Sequence, residues 1–176
     1  MHSGIPNRTY SLPKHRLGKR LVFVGSESDH PLRHWIQDVT GGPPRPVTPE
    51  GVEGQFVTMN QSDYVAARDP SRTLRLFPID GGDPKPVKGA TDNDRVIGGS
   101  AQADVLYVAR ATSAISMPVF KLNVANGRRE PFVTVAPANP TGAVAIFDPR
   151  FTANEKWYIY NEVRDLTTLY SATGLK

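Results

Sequence analysis

The sequence predicts an all-β fold, and three features support this. Short apolar runs alternate with turn residues along the chain, and no long window shows helical periodicity. Gly and Pro supply 15 and 16 of the 176 residues, and they are spread rather than clustered. Turn residues at this frequency interrupt the chain before a helix can develop, so they favour many short strands. A hydrophobic share of 39% is ordinary for a globular domain.

The stretch 55–87 shows the unit from which the chain is built. Two of its turns are Asp69-Pro70-Ser71 and Asp80-Gly81-Gly82, and they separate short apolar runs. The runs lie at 55–59, 64–67, 74–79 and 85–87. This arrangement predicts a four-stranded antiparallel meander, because Gly and Asp suit hairpin turns.

Three further segments repeat this order. The polar breaks before the second strand begin at residues 16, 60, 101 and 153, so they are 44, 41 and 52 residues apart. Four strands in a period of about 40 to 50 residues are typical of a β-propeller. We therefore predict one propeller domain over 1–176, and a β-sandwich is the alternative. The predicted units are about 8–50, 51–90, 91–138 and 139–176.

Each unit assigns a position to its strands. The first strand is expected innermost, at roughly 8–11, 55–59, 95–99 and 143–147. The second has little polar alternation, so both its faces should be covered; it lies at 21–24, 64–67, 105–108 and 157–160. The third is expected at 32–39, 74–79, 118–124 and 168–172. The last, at 45–47, 85–87 and 131–133, contains Pro, which favours a sheet edge.

This order of elements resembles the WD40-like repeat of TolB-type β-propellers. Similar repeats occur in propellers attached to prolyl-oligopeptidase-type peptidases and to some bacterial serine/threonine kinases. The resemblance covers nearly all of 8–174 and is most specific at 39–48 and 79–87, where Gly-Gly turns precede short strands. It implies a propeller of about four blades with an incomplete last blade, which could be part of a larger propeller.

The first hairpin of each unit departs from that family, which usually has Pro-Asp-Gly-Lys there. Only Gly18, Lys19 and Lys156 agree. The pair Gln61-Ser62 forms primed turns less readily than Asp-Gly, so we expect a less stable hairpin and predict that Asp-Gly would stabilise it.

Charge and composition limit the partners and the location. Residues 1–20 carry five basic residues and no acid, while the rest has 16 basic against 17 acidic residues. No nucleic-acid motif accompanies the basic segment, so nucleic-acid binding is not expected. The absence of Cys excludes disulfides and zinc-thiolate sites.

The N-terminus lacks the apolar run of a signal peptide or a membrane span. This favours a cytoplasmic protein without membrane insertion. A periplasmic or extracellular location is the alternative if the chain is a fragment.

No catalytic, metal or cofactor-binding residue is predicted. The sequence lacks a Gly-x-Ser-x-Gly elbow, a phosphate loop and a His-Glu-x-x-His pair. Asp29, His30 and His34 could be drawn as a metal or acid–base site, but a strand would place the two histidines about 13 Å apart. An exposed polar hairpin is the favoured interpretation.

Two other groups have a structural and a functional interpretation. Asp92-Asn93-Asp94 resembles the start of a calcium loop but lacks its Gly and distant Glu, so a solvated loop between units is favoured. Four aromatic residues could line a ligand face, but packing between units is favoured. They are Trp35, Trp157, Tyr158 and Tyr160.

The predicted function is a non-catalytic propeller scaffold that binds a protein partner. Alternatives are a sensor module of a larger kinase or peptidase chain, and a propeller hydrolase or lactonase with a metal in its channel. The second alternative would need several acids or histidines on the innermost strands, which have few. The fourth unit ends before an outer strand, so Leu169-Tyr170-Ser171-Ala172 is predicted to pair with a partner strand or a second copy.

Overall fold

The computed structural model describes residues 11–110 and 113–167, with the backbone alone for 11–17. Within these ranges every regular element is a β-strand. The strands of the first two units are β1 Ser11–Leu17, β2 Arg20–Gly25, β3 Arg33–Asp38, β4 Arg45–Pro46, β5 Gly54–Met59, β6 Ser62–Arg68, β7 Leu74–Pro78 and β8 Lys85–Pro86. Those that follow are β9 Arg95–Gly99, β10 Val105–Ala109, β11 Met117–Asn123, β12 Arg129–Val135, β13 Ala143–Phe151 and β14 Tyr158–Arg164.

The strands form one antiparallel meander per unit. Units 1, 2 and 3 are four-stranded sheets, β1 to β4, β5 to β8 and β9 to β12, each in chain order. In unit 4 the described residues contribute the two-stranded sheet β13–β14. The all-β prediction is thereby confirmed, as is the edge position of the Pro-containing strands β4, β8 and β12.

The first strands of units 2, 3 and 4 lie next to one another. β9 contacts both β5 and β13, so neighbouring units meet along these strands. The approach is close at Gly99, where a Cβ atom would lie 2.6 Å from the carbonyl oxygen of Thr58. A side chain at this position would push the inner strands of units 2 and 3 apart.

The core consists of layers between the units. In β6, Val65 and Ala67 pack with Val22 and Ile36 of unit 1, whereas Ala66 packs with unit 3. Successive side chains of a strand point to opposite faces, so one apolar strand serves two interfaces.

Unit 3 repeats this division. Leu106 and Val108 of β10 pack on unit 2, and Tyr107 and Ala109 pack towards unit 4, where Ile146 joins them. The prediction that the second strands are covered on both faces is therefore confirmed for β6 and β10.

Several boundaries differ from the prediction. β1 runs to Leu17, later than the predicted 8–11, and its register with β2 shifts between Ser11 and His15, where Pro13 cannot donate to the ladder. β13 and β14 extend to Phe151 and Arg164, because the ladder continues through polar residues that end the apolar pattern. The third strand predicted at 168–172 lies outside the described residues.

The hairpin of unit 2 turns one residue earlier than predicted. Met59 pairs with Ser62, so the turn residues are Asn60 and Gln61, with φ of 47° and 61°. Positive φ at both central positions is typical of a type I′ turn. The prediction that Gln61 and Ser62 are the two turn residues was therefore wrong, because Asn60 occupies the first turn position and Gln61 the second.

This geometry predicts that Gln61→Gly stabilises the protein. A left-handed conformation costs a side-chain-bearing residue about 1–2 kcal/mol, and the greater backbone entropy of Gly takes back about 0.5–1 kcal/mol. We expect a net gain in the free energy of unfolding of a few tenths to about 1 kcal/mol, measured by urea denaturation.

Ser62→Gly is the matched control. Ser62 is the first residue of β6 and needs no positive φ, so Gly there should lower stability by up to about 1 kcal/mol. Stabilisation by Ser62→Gly and destabilisation by Gln61→Gly would together contradict the register.

Candidate functional site

The most unusual surface of the molecule is one face of unit 4. Ile159 and Val163 of β14 point to the same side, and Phe147 of β13 lies opposite Asn161 on that side. Ile159 is 72% exposed, Val163 44% and Phe147 37%. We call Phe147, Ile159 and Val163 the open face.

The open face corresponds to faces that are packed in the other units. Tyr107 and Ala109 of β10 lie on the side of unit 3 that receives unit 4, and both are buried. The other side of unit 4 follows the same rule, since Ile146 and Tyr160 pack against unit 3. The open face is therefore a surface of the kind that joins one unit to the next.

The aromatic residues divide between core and surface. Trp35 is buried, and its Nε1 donates a hydrogen bond to the Gly25 carbonyl at 3.0 Å. Tyr160 packs on unit 3 as predicted. The prediction of packing was wrong for Trp157, which is 74% exposed and precedes β14. A dense apolar run predicts a strand, but it does not reveal whether the second face has a neighbour.

The partner-binding residues predicted from the sequence are Leu169, Tyr170, Ser171 and Ala172. All four lie outside the described residues, so their assignment stays a prediction. The residues Phe147, Ile159 and Val163 were not singled out from the sequence. The even spacing of Ile159 and Val163 in β14 places them on one side of the strand, but it does not reveal whether that side has a neighbour.

The three residues Asp29, His30 and His34 do not come together. Asp29 and His30 are exposed, with His30 Nδ1 3.2 Å from Glu50 Oε2. His34 is buried, which corrects the prediction of a wholly exposed hairpin. Its Nε2 accepts a hydrogen bond from the Gly54 backbone N–H at 3.0 Å, so this nitrogen joins unit 1 to unit 2 and is engaged in that bond.

Asp94 is buried, which corrects the prediction of a solvated loop at residues 92–94. Its carboxylate accepts hydrogen bonds from the Thr91 backbone N–H at 2.7 Å, Arg110 Nε at 3.0 Å and both Nη atoms of Arg129. Burial raises the pKa of Asp94, but the hydrogen bonds from Arg129, Thr91 and Arg110 outweigh it, so the pKa is well below its usual range. These donors occupy the oxygens that a calcium ion would need.

A cavity of about 250 Å³ lies where the inner strands of units 2, 3 and 4 meet. Apolar residues make up much of its wall, and they include Phe56, Ile97 and Phe151. Arg150 is the charged residue among those that line it in the described structure. We call this space the inner cavity.

Tyr107, which also lines the inner cavity, is held as a neutral phenol. Its hydroxyl donates to Glu155 Oε1 at 2.7 Å, and burial followed by this bond raises the tyrosine pKa far above its usual value. Burial raises the pKa of Glu155, but bonds from Lys121 and Tyr107 outweigh it and lower the pKa. This network ties unit 4 to unit 3.

Comparison with known structures supports the fold. The stacked antiparallel meanders with adjoining inner strands define a propeller-like, all-β class of protein. TolB from Acinetobacter baumannii is similar, with a TM-score of 0.56 and 13% identity over 80% of this chain and 34% of that chain. The likeness shows a TolB-like propeller fold, and this chain spans about a third of the length of TolB.

A structure from a study of two prolyl endopeptidases matches with a TM-score of 0.47 and 16% identity, over 82% of this chain and 22% of that one. No protein-family model matches the chain, and no curated protein sequence does. Among the described residues, no helix is long and apolar enough to cross a membrane.

The environment of Asp94 predicts acid-sensitive stability. Its folded-state pKa lies below the unfolded value of about 3.9, so its contribution is fully present above that pH and is lost as the pH falls below about 4. Asp94→Asn leaves Arg110 and Arg129 without their acceptor. We expect it to cost roughly 2–3 kcal/mol at pH 7, below the 3–5 kcal/mol of a fully buried pair because both arginines are partly exposed.

Asp92→Asn is the control, because Asp92 is exposed and its ion pairs with Arg68 and Arg72 are long. It should change stability by less than about 0.5 kcal/mol. Urea unfolding between pH 2 and pH 7 measures both variants. A loss of stability on acidification as steep in Asp94→Asn as in the parent chain would contradict the assigned role.

Proposed function

We propose that this chain is a non-catalytic β-propeller module that binds a protein partner through the open face of unit 4. One observation carries the proposal: a face built like the buried faces between units presents Phe147, Ile159 and Val163 to solvent. Soluble monomers rarely expose large contiguous apolar patches, and such patches often mark protein interfaces.

The partner that fits best is an apolar β-sheet face. Sheets pack with their side chains interdigitated about 10 Å apart, as the units of this chain do with one another. A second copy of the chain offers such a face, namely its own open face. Two open faces related by a two-fold axis would form a self-complementary interface, in which each contact occurs twice.

The charges of unit 4 permit this contact. Residues 143–167 contain the basic residues Arg150, Lys156 and Arg164 and four acids. The net charge of this range is therefore −1, and two copies would experience little repulsion. Covering a side chain such as Ile159 contributes about 1.5–3 kcal/mol, so a few of these residues per copy can stabilise association.

The inner strands support a non-catalytic role. In the described strands β5, β9 and β13 the carboxylate is that of Asp148, and it accepts a hydrogen bond from Arg95 at 3.1 Å. A hydrolase with a channel metal would require several ligands there.

The proposal also includes pairing of a partner strand at residues 169–172. A cytoplasmic location is the default.

Self-association of the purified chain tests the proposal. Sedimentation velocity over a wide dilution series should show a reversible dimer. The substitution Ile159→Lys should raise the dissociation constant of the dimer at least tenfold, because each copy then brings one lysine charge into the two-fold interface.

Val39→Lys is the matched control. Val39 is also an exposed aliphatic residue but lies at the end of β3 in unit 1, so the substitution should leave the dimer intact. A chain that stays monomeric at all concentrations would contradict the second copy as partner. Equal effects of Ile159→Lys and Val39→Lys would contradict the assignment of the open face.

A further inference from the structure

We infer that the inner cavity is a binding site for a small carboxylate with an aromatic or aliphatic body, and that Arg150 receives the carboxylate. Arg150 pairs with Ile159 in the β13–β14 ladder, and its guanidinium reaches the Ile97 carbonyl at the inner cavity, so ligand binding does not require the proposed dimer. Three properties of the inner cavity support this assignment: its charge, its hydrogen-bonding groups and its size.

The charge of the cavity comes from one side chain. Of the residues that line it in the described ranges, Arg150 is the one that carries a charge at neutral pH. The guanidinium of Arg150 forms no ion pair with a described carboxylate, whereas Arg95 of β9 pairs with Asp148. A partly buried cation without a counter-ion favours an anionic ligand.

The nearby carboxylates are already engaged. Glu155 accepts hydrogen bonds from Tyr107 and Lys121, and Asp63 accepts one from Thr58 at 2.6 Å. Lys121 balances the charge of Glu155. Among the described residues that line the inner cavity there is no carboxylate, so an anion would meet Arg150 there without a competing one.

The geometry of Arg150 leaves donors for a ligand. One Nη donates to the Ile97 carbonyl at 3.0 Å, which anchors the side chain across the junction of units 3 and 4. Among the described residues, the other Nη and the Nε have no acceptor. An arginine edge with two N–H groups matches the two oxygens of a carboxylate.

The rest of the wall selects the body of the ligand. Phe56, Ile97 and Phe151 offer apolar surface to a ligand. A volume of about 250 Å³ lies below the 300–1,000 Å³ of sites for drug-sized molecules. A single ring or a short aliphatic chain is therefore the appropriate size.

The test compares benzoate with benzamide, its neutral analogue, in amide NMR titrations of the whole chain at pH 7. Benzoate should bind with a dissociation constant of about 0.1 to 1 mM and shift the resonances of Gly98 and Gly99. Benzamide should bind at least tenfold more weakly, because it lacks the charge-assisted hydrogen bonds. Equal affinities, no binding of benzoate, or shifts confined to residues outside the cavity would overturn the proposal.

Arg150→Met should weaken benzoate binding at least tenfold, and Arg150→Lys should give an intermediate affinity, because it keeps the charge without the planar fork. Arg164→Met is the control. Arg164 also donates to backbone carbonyls, those of Thr141 and Asn139, but lies outside the cavity, so its loss should not alter affinity. If Arg150→Met does not fold, Arg150→Lys decides: affinity equal to that of the parent chain would overturn the role of the guanidinium.

A free acid and the C-terminus of a peptide would share this chemistry. N-acetylphenylalanine represents the second source. Tighter binding of this compound than of benzoate would identify a chain terminus as the ligand, and weaker binding would identify a free acid.

Discussion

The structure depends on strands that bury both of their faces. In β6, Val65 packs on one neighbour and Ala66 on the other, and β10 divides Leu106 and Tyr107 in the same way. Each unit is a thin sheet that would have little core alone, so its stability comes from the units beside it. The same constraint explains unit 4: β14 has the pattern of a two-faced strand, but one face lies in solvent.

Polar links accompany each apolar junction. His34 bonds to Gly54 between units 1 and 2, and Arg68 of unit 2 donates to the carbonyl oxygens of Thr91 and Asp94 at the start of unit 3. Glu155 of unit 4 receives bonds from unit 3. Apolar contacts are non-directional, so these bonds help to define how one sheet sits on the next.

Much of the architecture could be predicted from the sequence, because turn residues and strand lengths are local properties. The Gly-Gly turn at Gly41 and Gly42 requires positive φ, and the structure shows it. The partners of Asp94 could not be predicted, since Arg110 and Arg129 are brought to it by the pairing of distant strands. The buried position of His34 and the exposed one of Ile159 depend in the same way on which unit lies alongside.

The most direct test of this account is native-state hydrogen exchange at a concentration where the chain is monomeric. Amides of β6 and β10, which lie between two neighbouring units, should exchange slowest and report the global stability. Amides of β14, with one face in solvent, should exchange through smaller openings and therefore faster. Equal protection of β14 and β10 in the monomer would contradict the claim that the units depend on burial of both strand faces.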